Sequence, residues 1–134
     1  MRRLKSLALA VSLIASPALA LEPINTEPHI NETLLQGFIA DAIADTCPTL
    51  GARKMRALNE LMKLKDYALK QGYSASEIRA FVTSKEEKAK GKAKAADWLA
   101  KAGAKAGDAE AHCRIGRDEI AKGSLIGSLL KDES

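Results

Sequence analysis

Aromatic side chains make up only 4% of this 134-residue chain, and β-branched residues are also few. The strands of all-β sandwiches favour both types, so that fold class is excluded. No apolar run reaches the roughly 18 residues that a membrane-spanning helix needs. The chain is instead rich in Ala, Lys, Leu and Glu, which are strong helix formers. Its length and composition predict one all-α domain, a small bundle of four to five helices pinned by one disulfide.

The sequence also lacks the motifs that would identify an active site or a metal site. It contains no G-x-S-x-G, no H-E-x-x-H and no glycine-rich phosphate loop. His29, His112 and the two cysteines show no zinc-ligand spacing, and there is no haem-attachment motif. Asp41 and Asp45 share one helix face and are expected to be a solvated pair. We therefore expect no enzyme, no cofactor and no metal.

The first twenty residues have the three parts of a secretory signal peptide. The start is positively charged, residues 7–15 are apolar, and Ala18-Leu19-Ala20 forms an A-x-A cleavage site. We expect cleavage before Leu21, which gives an exported chain, periplasmic or secreted, with no membrane span after cleavage. Residues 21–30 hold two prolines and are predicted to be an extended tether.

Charge is distributed unevenly along the chain. The net charge is +4, but residues 1–20 contribute three bases, which leaves 18 basic and 17 acidic residues in the remainder. Residues 21–52 carry five acids and no base, whereas residues 53–105 carry fourteen bases and six acids. We expect these regions to neutralise each other within one fold; the alternative is a surface for anionic partners. No nucleic acid is expected, because no aromatic side chains are interleaved with the bases.

Apolar residues at helical spacing predict a helical domain over residues 31–130. Its first helix is expected to begin after Asn31 as N-cap and to end near Cys47, because Pro48 disfavours helical geometry in the preceding residue. The second helix is expected from about Leu50 to Gln71, before a left-handed Gly72. The residues of its apolar stripe are expected to face the core: Leu50, Ala57, Leu58, Leu61, Leu64 and Ala68.

A capping box at Ser74 begins the third helix. Two alternatives stay open for its end: a new start at Ser84, or continuation to about residue 102. Four small residues of this region are expected to form its contact face: Ala89, Ala93, Ala96 and Ala100. Asp108 is expected to cap the fourth helix and Gly123 to end it, and residues 131–134 are expected to be a tail.

Two cysteines, Cys47 and Cys113, are present in a chain that is expected to be exported. An even cysteine count in an oxidising compartment predicts a disulfide, and two cysteines allow one intramolecular pairing. The pairing would join the end of the first helix to the fourth helix. A redox-active pair is not expected, because there is no C-x-x-C motif.

Five residues are candidates for an interaction surface. The apolar tail residues are Leu125, Ile126, Leu129 and Leu130, and the fifth candidate is Trp98, which lies beside several lysines on the helical wheel. The tail either closes the end of the bundle or presents an apolar patch to a partner. Trp98 is either a core residue or part of a binding surface.

Several of these features resemble a family of short exported bacterial helical proteins known only as a domain of unknown function. The resemblance is carried by Gly72-Tyr73-Ser74, Glu77-Ile78, the two widely spaced cysteines and a C-terminal motif that runs from Gly116-Arg117 to Leu129-Leu130. It covers about residues 31–130 and implies an exported helical domain, with no catalytic residues to carry over. A weaker likeness is to the small periplasmic acid-stress chaperones, which are also helical with one disulfide.

These sequence features support two functional hypotheses. The first is a non-enzymatic exported protein that acts through protein–protein interaction, as an accessory subunit of an envelope assembly. The second is a periplasmic stress chaperone that exposes apolar surface when acid protonates its carboxylates. The identity of the protein partner and the oligomeric state stay open.

Overall fold

The computed structural model describes residues 21–134, so the expected signal peptide, residues 1–20, lies outside the described residues. The described chain is mostly helical, which confirms the all-α prediction. Its elements are, in chain order, a 3₁₀ turn (Ile24–Thr26), α1 (Pro28–Thr46), β1 (Leu50–Ala52), α2 (Lys54–Gln71), α3 (Ala75–Thr83), α4 (Lys85–Lys101), α5 (Ala109–Lys122), α6 (Leu125–Ser128) and β2 (Leu130–Asp132). None of the described helices is long and apolar enough to cross a membrane.

The expected extended tether over residues 21–30 is wrong. Ile24–Thr26 form a 3₁₀ turn and α1 already begins at Pro28, so Asn31 lies inside the helix rather than at its cap. The cap is Glu27, whose carboxylate accepts a hydrogen bond of 2.6 Å from the Ile30 backbone N–H. Proline suits this first helical position, because its missing N–H would have no partner there.

The open question about the third helix is answered by a break at Ser84. The Ser84 hydroxyl accepts from the Glu87 N–H at 3.2 Å, as the Ser74 hydroxyl accepts from the Glu77 N–H at 3.1 Å. Both serines therefore act as N-caps, one for α3 and one for α4. This break and the separate turn of α6 give six helices in residues 21–134, against four to five expected.

The contact face predicted for α4 is the wrong one. The four alanines expected to pack are all exposed: Ala89, Ala93, Ala96 and Ala100. The helix instead buries Ala95 and Leu99, and its Gly91 lies directly against the Phe38 ring of α1. A side chain at Gly91 would collide with that ring, so glycine lets the two helices approach closely.

The C-terminal segment folds back onto the bundle instead of ending as a tail. Leu130–Asp132 pair antiparallel with Leu50–Ala52, so residues 131 and 132 belong to a strand. Before that strand, α6 crosses the backbone of α5, where a Cβ on Gly127 would overlap the Glu119 carbonyl. Glycine is required at this crossing because two backbones meet there.

Two apolar clusters hold the chain together. The larger cluster lies between α1, α4, α5 and the C-terminal segment; its largest fully buried side chains are Ile39, Ile43, Cys47, Leu99 and Leu130. The smaller cluster lies where α1, α2 and α3 meet and consists of Ile30, Leu64, Ala68, Tyr73 and Ile78. Only Leu64 and Ala68 of α2 are buried, so this helix packs against the rest of the domain along one narrow face.

Candidate interaction surface

A row of large apolar side chains lies exposed along the outer side of α2. The exposed fractions are 71% for Met55, 49% for Leu58, 58% for Met62 and 42% for Leu69. We call these four residues the α2 row. Their positions follow the three-and-four spacing of the a and d sites of a heptad, with Lys65 at the remaining site. This spacing places them in one line, as in helices that pack against another helix.

A half-open apolar groove of about 310 Å³ lies beside the α2 row. Its apolar lining comes from α1, α2, α3 and the C-terminal segment: Leu34, Phe38, Ala57, Leu61, Phe81, Val82, Leu125 and Leu129. Leu61, which is 50% exposed, follows Leu58 by three residues and therefore connects the α2 row with the groove. The volume is about twice that of an engineered apolar cavity that binds benzene.

The helices on two sides of the groove are basic. The α2 sequence contains five bases and two acids, and the α4 sequence contains six lysines and three acids. Lys88 and Lys94 line the groove and form no ion pair within residues 21–134, whereas Lys90 is paired with Glu86 at 3.2 Å. Glu60 of α2 and Glu87 of α4 also line the groove, but they are paired with Lys63 at 3.2 Å and with Lys90 at 3.6 Å, so Lys88 and Lys94 are left as cationic groups next to the apolar surface.

The third side of the groove carries an acidic residue of α1. Burial and the nearby Asp45 carboxylate raise the pKa of Asp41, and the positive charges of Lys92 and Lys54 oppose that rise. Asp41 and Asp45 are both exposed, in agreement with the expected solvated pair, and Asp41 lies at the groove margin. It contributes negative charge opposite the basic helices.

The tail residues named as interaction candidates are core residues. Ile126, Leu129 and Leu130 are 5%, 6% and 2% exposed, and Leu125 is half-buried against the larger cluster. They are buried because α6 and β2 fold back over α1 and α5. The prediction of an exposed apolar tail patch is therefore wrong, and the alternative that the tail closes the bundle is confirmed.

Trp98 is partly buried and packs against the larger cluster. It does not line the groove. Of the two alternatives for Trp98, the structure shows packing against the core, with part of the side chain accessible.

The predicted disulfide joins Cys47, at the end of α1, to Cys113 in α5, with a Cα–Cα distance of 5.1 Å. Thr49 lies beside both sulfur atoms, and its hydroxyl accepts a 2.7 Å hydrogen bond from Arg117. Arg117 also lies 3.6 Å from the Asp132 carboxylate of β2. The disulfide thus links α1 to α5 close to the place where β2 pairs with β1.

The two histidines have separate local contacts. His29 lies in the first turn of α1 and meets the Tyr67 ring edge-on at a centroid distance of 4.4 Å. His112 is buried in α5, and its Nδ1 lies 2.6 Å from the Asp108 carbonyl oxygen. Both rings therefore have local structural contacts.

A family model described as a family of unknown function, DUF5333, matches residues 22–131. The chain belongs to this family. The match includes both cysteines, all of α1 to α6 and therefore the α2 row and groove. The resemblance inferred from the C-terminal motif and the cysteines is confirmed at the level of the family.

Comparisons with curated proteins and with solved structures found no match. DUF5333 is a family of unknown function, so it implies no activity for this chain. Its disulfide fits a protein that resides outside the reducing cytoplasm.

The sequence carries a signal for the α2 row that the predicted core stripe does not use. That stripe includes Leu58 and Leu61, which are 49% and 50% exposed, so this part of the prediction is wrong, and it does not include Met55, Met62 or Leu69. The apolar arc of α2 is wider than one buried stripe, and its outer part has heptad spacing. The heptad spacing of this outer part indicates a second apolar side on α2.

Proposed function

We propose that this is an exported, non-enzymatic protein that acts by binding another protein, as an accessory subunit of an envelope assembly. The observation that supports the proposal is the α2 row, in which four large apolar side chains are 42–71% exposed. Burying a fully exposed Leu or Met side chain contributes about 1.5–3 kcal/mol. Covering these half-exposed side chains would therefore contribute several kcal/mol to association.

The groove beside the row supports the same function. Protein interfaces have an apolar centre with a polar rim, and interface centres are enriched in Met. Here Leu61 continues the apolar surface inward from the row, and lysines of α4 stand at the rim. The signal peptide expected from residues 1–20 and the disulfide are the support for export.

The test is a double substitution, Leu58→Ser with Met62→Ser, in the full chain expressed with its own signal. We expect proteins that co-purify from the cell envelope with the unaltered protein to be lost. Melting should change little, because both side chains are already about half exposed. A matched control is Ala89→Ser with Ala93→Ser, at exposed positions of α4.

Retention of every co-purifying protein by the Leu58→Ser, Met62→Ser variant would contradict the proposal. Equal loss in the α4 control would also contradict it, since that result would not depend on the α2 row.

A stress chaperone is the second candidate, and Glu27 is the observation that favours it. Glu27 is 9% exposed, caps α1 and accepts a 2.8 Å hydrogen bond from the Tyr67 hydroxyl of α2. Burial alone would raise the pKa of Glu27, but hydrogen bonds from Ile30 and Tyr67 outweigh it and hold the pKa below its ordinary value. Acid that protonates Glu27 would therefore weaken the smaller cluster and expose its apolar side chains.

This second candidate is tested by client aggregation at about pH 2–3, below the ordinary carboxyl pKa values of roughly 4. A chaperone should suppress aggregation there and bind an apolar dye. The Glu27→Gln variant should bind the dye already at neutral pH. Failure to suppress aggregation in acid would eliminate this candidate.

A further inference from the structure

The chemistry of the partner can be inferred from the charges that surround the α2 row and the groove. This inference rests on the proposed function and deepens it. We propose that the row and groove bind an amphipathic helix of a partner protein whose apolar stripe is flanked by acidic side chains.

The spacing of the α2 row favours a helical partner. Met55, Leu58 and Met62 occupy successive a and d positions of a heptad, and Leu69 occupies the a position one heptad further along. A straight line of apolar side chains at this spacing is complementary to the same spacing on a second helix, whose knobs enter the holes between them. The 18 residues of α2 provide about 27 Å for such packing at 1.5 Å per residue.

The shape of the adjoining groove also favours a helical partner. Its 310 Å³ lie to one side of the row, and Phe38, Leu61 and Phe81 contribute to its lining. A helix that lies on the row can extend one or two large apolar side chains into this space, as anchor residues enter pockets at protein interfaces. A flat lipid surface would leave the groove unfilled.

The composition of the row also favours a protein over a membrane surface. Two of its four side chains are methionines, whose unbranched and polarisable chains adapt to apolar partner surfaces. Helices that lie in the membrane interface commonly present Trp or Phe together with Leu. The α2 row contains neither aromatic residue.

Charge also bears on the partner. Lys65 occupies the remaining heptad site of the row and Lys54 lies on the same side of α2 as Leu61, while Lys88 and Lys94 line the groove from α4. Three acids, Asp41, Glu60 and Glu87, also line the groove, but Glu60 is paired with Lys63 and Glu87 with Lys90, so Lys88, Lys94 and the two lysines of α2 remain for a bound helix. Carboxylates at the flanking positions of the partner would meet them, and complementary charges select partners and increase association rates.

The same charges disfavour a second copy of this chain as the occupant. Pairing two α2 helices along their rows would bring Lys65 of each copy into the seam and join two segments that each carry a net charge of +3. Like charges across an interface are unfavourable. An acidic helix satisfies both the apolar and the electrostatic features of the site, whereas a second α2 satisfies only the first.

The test uses two synthetic peptides with the same heptad leucine stripe, one with Glu and one with Lys at the flanking positions. Binding of each fluorescently labelled peptide to the purified, disulfide-bonded protein is followed by anisotropy. We expect the Glu peptide to bind roughly tenfold or more tightly than the Lys peptide, because close opposite charges favour one and like charges disfavour the other. The difference should shrink as salt is raised from about 0.01 M to about 1 M.

Charge reversal on the protein provides the decisive comparison. Lys65→Glu with Lys94→Glu should reduce the preference for the Glu peptide or reverse it. The control, Lys105→Glu with Arg114→Glu, makes the same change in net charge at exposed positions that do not line the groove. This control should keep the original preference.

The outcomes separate this inference from the proposed function. Equal binding of both peptides, lost in Leu58→Ser with Met62→Ser, would overturn the acidic partner and leave apolar docking intact. Binding to vesicles of anionic phosphatidylglycerol with no binding of either peptide would overturn the helix and identify a membrane surface. No binding of peptides or vesicles would overturn the inference, while co-purification would still test the proposed function separately.

Discussion

Replacing Leu130 with Ala tests directly whether the C-terminal segment is part of the core. Leu130 is 2% exposed, begins β2 and packs with Leu50 close to Gly116. Truncating a fully buried leucine costs about 2–5 kcal/mol, because apolar contacts are lost and a cavity remains. A domain of this size melts roughly 4 °C lower for each kcal/mol, so Leu130→Ala should melt about 8–20 °C below the unaltered protein.

The matched control is the same substitution on α2, Leu58→Ala. Leu58 is 49% exposed and belongs to no buried cluster, so its truncation should lower the melting temperature by a few degrees at most. Both variants are compared by thermal circular dichroism with the disulfide intact. If Leu130→Ala melted within a few degrees of the unaltered protein, the C-terminal segment would not be core and its return along β1 would be wrong.

Three further predictions concern the disulfide, the α1 cap and the crossing of α5 and α6. Replacing Cys47 and Cys113 with Ala removes a cross-link between residues 66 apart and should destabilise the fold by up to about 4 kcal/mol, measured by urea unfolding, with helical circular dichroism retained in buffer. Because folding lowers the pKa of Glu27, the ionised carboxylate stabilises the fold above about pH 4, and this stabilisation is lost as the pH falls below that value. Glu27→Gln should therefore be less stable than the unaltered protein at pH 7 and should lose less stability on acidification. Gly127→Ala would place a methyl group against the Glu119 carbonyl and should lower the melting temperature by more than 5 °C, whereas Gly37→Ala, in open space, should not lower it.

The local features of the fold could be predicted from the sequence because their causes are local. Ser74 and Asp108 are N-caps, since each side chain bonds a backbone N–H three residues ahead. Gly72 ends α2 with a φ of 109°, a conformation that favours glycine. The disulfide followed from the cysteine count in a chain that is expected to be exported.

The features that could not be predicted depend on contacts between distant segments. Two faces of α4 offered small residues, and the choice between them was made by the Phe38 ring, which needs the space above Gly91. The cap at Glu27 depends partly on Tyr67, 40 residues away. Neither contact leaves a periodic signal in the chain. Helix propensity and residue spacing alone therefore predict the wrong contact face for α4 and the wrong first residue for α1.

The α2 row shows why burial must be known before an apolar pattern is interpreted. Single exposed apolar side chains are normal on protein surfaces and need no explanation. Four that share heptad spacing along one helix are different, because α1 and α3 already cover the opposite side through Leu64 and Ala68. The domain is closed without the row, since both apolar clusters form elsewhere. The row therefore contributes little to folding. Its heptad spacing, the adjoining groove and the nearby lysines together support association with a second helix.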